Sequence, residues 1–108
     1  MRDGKVVMTV RGHHTAAHAR GCAAAVKSAF ERIGTADLVI DLREMASFER
    51  DARVHWQDEL FALRRRITGI VIAGGPPLAR MAGAAVCLFV GIKMRVVGAP
   101  DEAFVSAA

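Results

Sequence analysis

The feature that most constrains this chain is the regular alternation of short β-type apolar runs with longer segments of helical periodicity. Four runs rich in valine, isoleucine, leucine and methionine are bounded by glycine or charged residues, which is typical of strands. The segments between them place apolar residues three and four positions apart, which is typical of helices. The predicted strands are residues 5–11, 37–43, 69–73 and 93–97, and the predicted helices are residues 15–33, 47–66 and 76–90.

Strands that alternate with helices are expected to be parallel and joined by right-handed crossovers, with the helices packed against the sheet. A chain of 108 residues has the size of one domain, and apolar residues make up 53% of it, enough for a core and too many for a disordered chain. We therefore expect one α/β domain over residues 1–108 with a four-stranded, mostly parallel or mixed sheet. It has about three main helices and a short C-terminal helix at residues 100–104.

The cysteines and the apolar runs bear on the cellular compartment. Cys22 and Cys87 both lie inside apolar helical patterns, as small buried residues do. Without a visible secretory signal, we expect a cytoplasmic protein with reduced cysteines. No apolar run reaches the roughly 18 to 20 residues that cross a bilayer, so no membrane span is predicted.

The net charge of +4 comes from an excess of lysine and arginine in the first third of the chain. These residues are spaced like the polar positions of a strand end and a helix, which predicts a solvated face. The run Arg64, Arg65 and Arg66 ends a predicted helix, where cations complement the helix dipole. We therefore predict no nucleic-acid partner.

Three histidines form the most conspicuous polar cluster. On a helix, His14 and His18 share a face at a spacing of four residues, which is known from zinc sites. A zinc enzyme also needs a third ligand and a general base, and the sequence lacks an HExxH motif. Asp41 or His55 are the residues that could approach in the fold. We predict no metal site and interpret His13, His14 and His18 as exposed residues at a helix start.

The Gly-Gly-Pro-Pro turn at residues 74–77 follows the third strand, where open α/β sheets bind their ligands. Its two prolines remove backbone donors, and no glycine-rich phosphate motif is present. Arg80 lies in the first turn of the next helix and could assist an anion there. No serine or cysteine stands in a catalytic motif. The sequence therefore predicts a structural turn, no cofactor and no catalytic residue.

Two stretches resemble the STAS superfamily. The first is Ala-Asp-Leu-Val-Ile-Asp-Leu-Arg at residues 36–43, followed by Phe48, a helix, and Gly-Ile-Val-Ile-Ala-Gly at residues 69–74. The second is Lys-Met-Arg-Val-Val at residues 93–97 followed by Asp-Glu-Ala-Phe at residues 101–104, which is similar to the last strand and closing helix of that superfamily. The superfamily includes bacterial anti-sigma-factor antagonists and small STAS-like proteins grouped with lipid-transfer domains.

The resemblance implies a non-enzymatic regulatory module that docks on a protein partner, such as a regulator or a kinase, often under phosphorylation control. Antagonists of the family carry an Asp-Ser-Ser/Thr-Gly motif at the start of the helix after the Asp-Leu strand, and this motif is missing here. Asp51 falls near the acceptor position, and Ser47 lies one turn earlier as a predicted helix N-cap. The predicted docking surface combines the start of the second helix with the turn between the third strand and the third helix. Its residues are Ser47, Phe48, Glu49, Asp51, Gly75 and Arg80.

Three further hypotheses remain open at this point. The nearly all-apolar segment from Met81 to Val90 suggests carriage of a small apolar ligand or lipid, which requires a cavity of at least a few hundred cubic ångströms. The same segment suggests a face that is covered in a homodimer. A metal-binding protein that uses His14 and His18 is the third alternative.

Overall fold

The four strands lie side by side in the order in which they occur in the chain, and every neighbouring pair is parallel. The computed structural model describes residues 4–104, so the first three and last four residues of the predicted domain lie outside the described part. The elements are β1 (Val6–His14), α1 (Ala16–Ile33), β2 (Ala36–Phe48), α2 (Arg50–Leu63), β3 (Ile67–Ala73), α3 (Pro77–Val90), β4 (Met94–Val97) and a 3-10 helix (Pro100–Phe104). The predicted alternation is confirmed, and the sheet is parallel throughout.

This strand order places all three α-helices on one face of the sheet, because each strand lies beside the previous one and each crossover has the same hand. The main core forms between that face and the helices, with Phe30 of α1, Leu60 of α2 and Val86 of α3 packed on Leu38 and Ile72. On the opposite face, a smaller cluster of Val39, Val71 and Ala103 lies beneath the 3-10 helix.

The first two strands are longer than the sequence indicates. β1 continues to His14 and β2 to Phe48 because the two strands keep pairing beyond the apolar runs, with irregularities between Thr9 and Arg11 and between Gly12 and His13. The prediction that Ser47 caps the second helix is therefore wrong. Ser47 lies in β2, and Glu49 is the N-cap residue, without a side-chain capping bond.

The ends of the helices follow local chemistry. Thr15 caps α1 by accepting a hydrogen bond from the His18 amide at 3.1 Å, and Gly34 ends this helix as predicted. α2 ends at Leu63, three residues earlier than predicted, and the arginines that follow form a turn. α3 approaches the sheet closely at Gly83, where an added Cβ would lie 2.6 Å from the Ile72 Cδ1 atom.

Candidate functional site

The carboxyl edge of the sheet brings together the two segments that the sequence assigned to a docking surface. The end of β2, the start of α2 and the start of α3 surround a shallow depression at the surface, which we call the edge depression. Its lining residues are Ala46, Ser47, Phe48, Arg50, Arg53, Pro76, Leu78 and Ala79. Of the six predicted residues, Ser47 and Phe48 line it, whereas Glu49, Asp51, Gly75 and Arg80 lie around it.

Ser47 and Phe48 occupy the last two positions of β2 and point in different directions, as successive strand residues do. The Ser47 hydroxyl is hydrogen-bonded to the Nδ1 atom of His13 at 2.6 Å, on the neighbouring strand. Phe48 is half-buried and packs against the main core. Phe48 therefore exposes part of an apolar ring whose position is fixed by packing against the core.

Glu49 makes a hydrogen bond to the first residue of the neighbouring helix, α1. Its Oε1 atom accepts a hydrogen bond from the backbone amide of Ala16, the first residue of α1, at 2.6 Å. A carboxylate at that position satisfies a free helix amide and complements the helix dipole. Asp51 is exposed in the first turn of α2 and complements the dipole of that helix. Glu49 thus caps α1, and its side chain is exposed, like that of Asp51.

Arg80 and Gly75 hold the turn between β3 and α3 in shape. The Arg80 Nη1 atom donates to the Gly75 carbonyl at 2.7 Å, so this guanidinium is engaged within the turn. Gly75 has a φ of 91°, and a Cβ there would lie 2.7 Å from the Leu42 Cβ atom. Only glycine adopts this conformation at such a close approach without strain.

An apolar cavity of about 90 Å³ adjoins the edge depression, between the sheet, α2 and α3. Its walls include Leu42 from β2, Leu60 from α2 and Val86 from α3. Phe48, Arg53 and Ala79 line both the cavity and the edge depression. The segment from Met81 to Val90, whose apolar character suggested a cavity, contributes four residues to its walls, which are Ala82, Gly83, Val86 and Cys87.

His14 closes one end of this cavity. It is 4% exposed, and its Nε2 atom accepts a hydrogen bond from the Trp56 Nε1–H group at 2.9 Å, which requires the neutral ring with its proton on Nδ1. Burial lowers the pKa of His14, and the neighbouring His18 and His13 lower it further. His14 is therefore a neutral, buried hydrogen-bond acceptor.

The expectation that His14 and His18 share a helix face is wrong, because His14 ends β1 and only His18 lies in α1. Among residues 4–104, no group of three or more histidine, cysteine, aspartate or glutamate side chains is arranged to hold a metal ion. Asp41 and His55, the other two candidate metal ligands, have partners elsewhere. The Asp41 carboxylate pairs with Arg43 at 3.0 Å, and His55 lies 3.8 Å from Glu59.

Both cysteines are free thiols in apolar surroundings. Burial raises the pKa of Cys87, which lines the cavity, to about 11, and it also raises the pKa of Cys22. A thiol with a raised pKa is a poor nucleophile at neutral pH. The cysteines thus contribute small apolar side chains to the packing, as the sequence predicted.

The parallel sheet in chain order, the three helices and the C-terminal 3-10 helix define a SpoIIAA-like, or STAS-like, fold. The chain is similar to the crystal structure of an uncharacterized protein of the DUF3478 family with a SpoIIAA-like fold from Shewanella loihica PV-4. The TM-score is 0.72 at 16% sequence identity, and the match covers 91% of this chain and 79% of the other. The resemblance to the STAS superfamily is thereby confirmed for the fold.

Comparisons by sequence give no match. No family model matches the chain, and no curated protein does. In the part of the chain that the structure describes, no helix combines the length and apolar character that a membrane crossing requires.

Proposed function

We propose that this chain is a non-enzymatic interaction module that docks a protein partner on the edge depression. The observation that supports the proposal is the adjacency of the depression and the cavity, which share Phe48, Arg53 and Ala79. A partner that covers the depression can place one apolar side chain in the adjoining cavity. Buried apolar anchors of this kind dominate the affinity of many protein interfaces.

The charges around the depression indicate the chemistry of the partner. Arg50 is exposed and Arg53 half-buried, and both line the depression. Two cations beside an apolar cavity favour a segment with an acidic residue next to a protruding aliphatic side chain. The fold supports a protein partner as well, since the STAS resemblance implies regulators that act by docking.

The Ser47 hydroxyl is already engaged in a hydrogen bond. Ser47 lies at the end of β2, and its hydroxyl is bonded to His13, whereas a phosphate is favoured when it is free to meet a helix N-terminus. Asp51 is exposed in the first turn of α2, where it supplies a permanent negative charge. We propose that docking depends on the shape and charge of the depression and needs no modification of Ser47.

Taken by itself, the apolar cavity is too small for a lipid, and the edge depression beside it, at about 340 Å³, is the part of the site that a larger ligand or a partner segment would occupy. Sites for drug-sized ligands enclose about 300 to 1,000 Å³, and an engineered cavity of about 150 Å³ binds benzene. The cavity of about 90 Å³ thus has the scale of a single aliphatic side chain, which suits an anchor residue of a protein partner.

The test compares two single variants in partner capture. R50A removes a basic side chain that lines the depression. K27A removes one from an exposed position near the far end of α1. Each purified protein is immobilised and exposed to an extract of the cells that produce it, and bound proteins are quantified by mass spectrometry.

We expect a protein that the wild type and K27A retain equally and that R50A retains at least about tenfold less, as the loss of an interface contact worth about 1.4 kcal/mol implies. Circular dichroism confirms that both variants are folded. Equal retention by all three proteins, or no specific retention by the wild type, contradicts the proposal.

A further inference from the structure

The outer side of α3 carries apolar residues that no other described part of the chain covers. Leu78, Met81, Leu88 and Phe89 are 67%, 68%, 85% and 65% exposed. Between Arg80 and Lys93 the sequence has no charged residue. Soluble monomers rarely expose contiguous apolar surface of this kind, and where they do it commonly marks an interface.

These residues follow a heptad pattern on the outer side of the helix. Intervals of three and four residues repeat over the 14 residues of α3, which is the spacing of helices that pack against one another. The inner side of the helix is already used, since Ala79, Val86, Cys87 and Val90 are buried in the core. The residues of this outer stripe are Leu78, Met81, Ala85, Leu88 and Phe89.

We propose that the outer stripe of α3 packs against the same stripe of a second copy of this chain in an antiparallel, two-fold symmetric dimer. In an antiparallel pair of helices, Leu78 of one copy opposes Leu88 of the other, and Met81 opposes Ala85. Bulky residues thus meet at both ends, and a large residue meets a small one in the middle. Antiparallel helix dipoles also attract each other, whereas parallel dipoles repel.

The area of the stripe matches a dimer of modest affinity. From their exposed fractions, the residues of the stripe expose about 600 Å² per copy, so a symmetric pair buries at most roughly 1,200 Å², the lower end of specific interfaces. We therefore expect a dimer that forms in the micromolar concentration range and dissociates on dilution.

A membrane surface fits the stripe less well. Helices that lie in the membrane interface carry several lysine or arginine residues beside their apolar face. α3 has only Arg80, and its guanidinium is bonded to the Gly75 carbonyl. The opposite side of the helix is buried in the core and offers no polar face. A second copy with the same self-complementary pattern is the better occupant.

The first test uses sedimentation equilibrium between about 1 and 100 µM, since interfaces of this size give dissociation constants in or near that range. Leu88→Glu introduces a charge at the end of α3 remote from the edge depression. Because Leu78 belongs to both the stripe and the lining of the depression, the dimer covers one rim of the docking site and this variant exposes that rim. Ala25→Glu introduces the same charge at an exposed position of α1 and serves as the matched control.

We expect the wild type and Ala25→Glu to dimerise alike, and Leu88→Glu to raise the dissociation constant at least about 100-fold, as charges buried in interfaces do. Because each copy carries a charge of +4, added salt screens the repulsion and leaves the dimer intact or strengthens it. A wild type that is monomeric at the highest concentration overturns the proposal, whether or not it then binds lipid vesicles.

The second test determines the direction of packing. Cysteines are introduced at Leu78 and Leu88, singly and together, in a Cys22→Ala background, because Cys22 is half-buried and Cys87 is buried. A short bis-maleimide should cross-link the double variant into dimers and leave both single variants largely monomeric. Efficient cross-linking of either single variant places like residues opposite each other and overturns the antiparallel arrangement.

Discussion

The Nε1–H group of Trp56 in α2 donates a hydrogen bond to the Nε2 atom of His14 at the end of β1, at 2.9 Å. The two residues are 42 positions apart in the chain and both line the apolar cavity. Their bond joins the second helix to the edge strand of the sheet, and it exists only while His14 is neutral.

The His14 bond predicts a dependence of stability on pH. Burial lowers the pKa of His14 below its ordinary value of 6.5, so above pH 6.5 both the folded and the unfolded chain have this ring neutral. As the pH falls below 6.5, the unfolded chain binds a proton first, and the free energy of unfolding decreases until the pH reaches the folded pKa. The expected slope is at most about 1.4 kcal/mol per pH unit, measured by urea unfolding between pH 7.5 and 5, pH values that bracket this transition.

The matched variant for this effect is His14→Gln, which keeps a side-chain acceptor and removes the titrating ring. Its unfolding free energy should change less between pH 6.5 and 5 than that of the wild type. Hydrogen bonds lower the pKa of Asp37 and Asp41 below 3.8, so these carboxylates lose their stabilising effect only at lower pH. Identical slopes for the wild type and His14→Gln would show that His14 is not responsible.

The cap that Glu49 provides for α1 predicts a loss of stability on truncation. Glu49→Ala leaves the Ala16 amide without the carboxylate that accepts its hydrogen bond at 2.6 Å. We expect the free energy of unfolding to fall by about 1 kcal/mol, the typical value of a helix cap. Asp51→Ala removes an exposed acid from the start of α2 and should cost less, about 0.5 kcal/mol. An equal or larger cost for Asp51→Ala would contradict the capping role of Glu49.

We predict that alanine destabilises the fold more at Gly75, in the turn before α3, than at Gly91, which has a similar φ angle. Gly75 and Gly91 have φ angles of 91° and 83°, but a Cβ at Gly75 would lie 2.7 Å from the Leu42 Cβ atom, and one at Gly91 has nothing within 4 Å. Gly75→Ala should therefore lower the melting temperature further than Gly91→Ala, by the equivalent of about 1 to 3 kcal/mol. Similar melting temperatures for the two variants would mean that the turn can shift to accommodate the added Cβ at Gly75 without a loss of stability.

The cavity predicts that an added side chain can stabilise the fold. Ala82 lines the cavity, whereas Ala84 is exposed on the same helix. Ala82→Leu should raise the free energy of unfolding by about 1 to 2 kcal/mol through burial of new methyl and methylene groups, and Ala84→Leu should change it by less than about 0.5 kcal/mol. The comparison is made by urea unfolding of dilute protein. A marked loss of stability in Ala82→Leu would show that the space is not available to a side chain.

The sequence predicts the parts of this structure that depend on local pattern. The apolar runs identify β2 and β3, and the glycine after α1 marks the end of that helix. The alternation of strands with helices predicts a parallel sheet. Parallel strands bring Phe48 and Pro76 to the same edge. Contacts between distant residues could not be predicted in this way. Residues 44–48 lack a strand pattern and are extended because β1 pairs with them.

The same limit explains why the contacts of His14 and Glu49 could not be predicted. His14 has a partner 42 positions away, and the carboxylate of Glu49 binds an amide 33 positions away, so no spacing rule reveals either contact. The cavity depends on the summed volumes of side chains from the sheet, α2 and α3, which is a property of the packed core.

The most direct test of docking on the edge depression is site-specific photocross-linking in the living cell. A benzophenone amino acid replaces Ala46, which is exposed and lines the depression, and in a second strain it replaces Lys27, which is exposed on α1. Docking on the depression predicts one major cross-linked protein from position 46 and none of that mass from position 27. Cross-links of equal yield from both positions, or no cross-link from position 46, would contradict it.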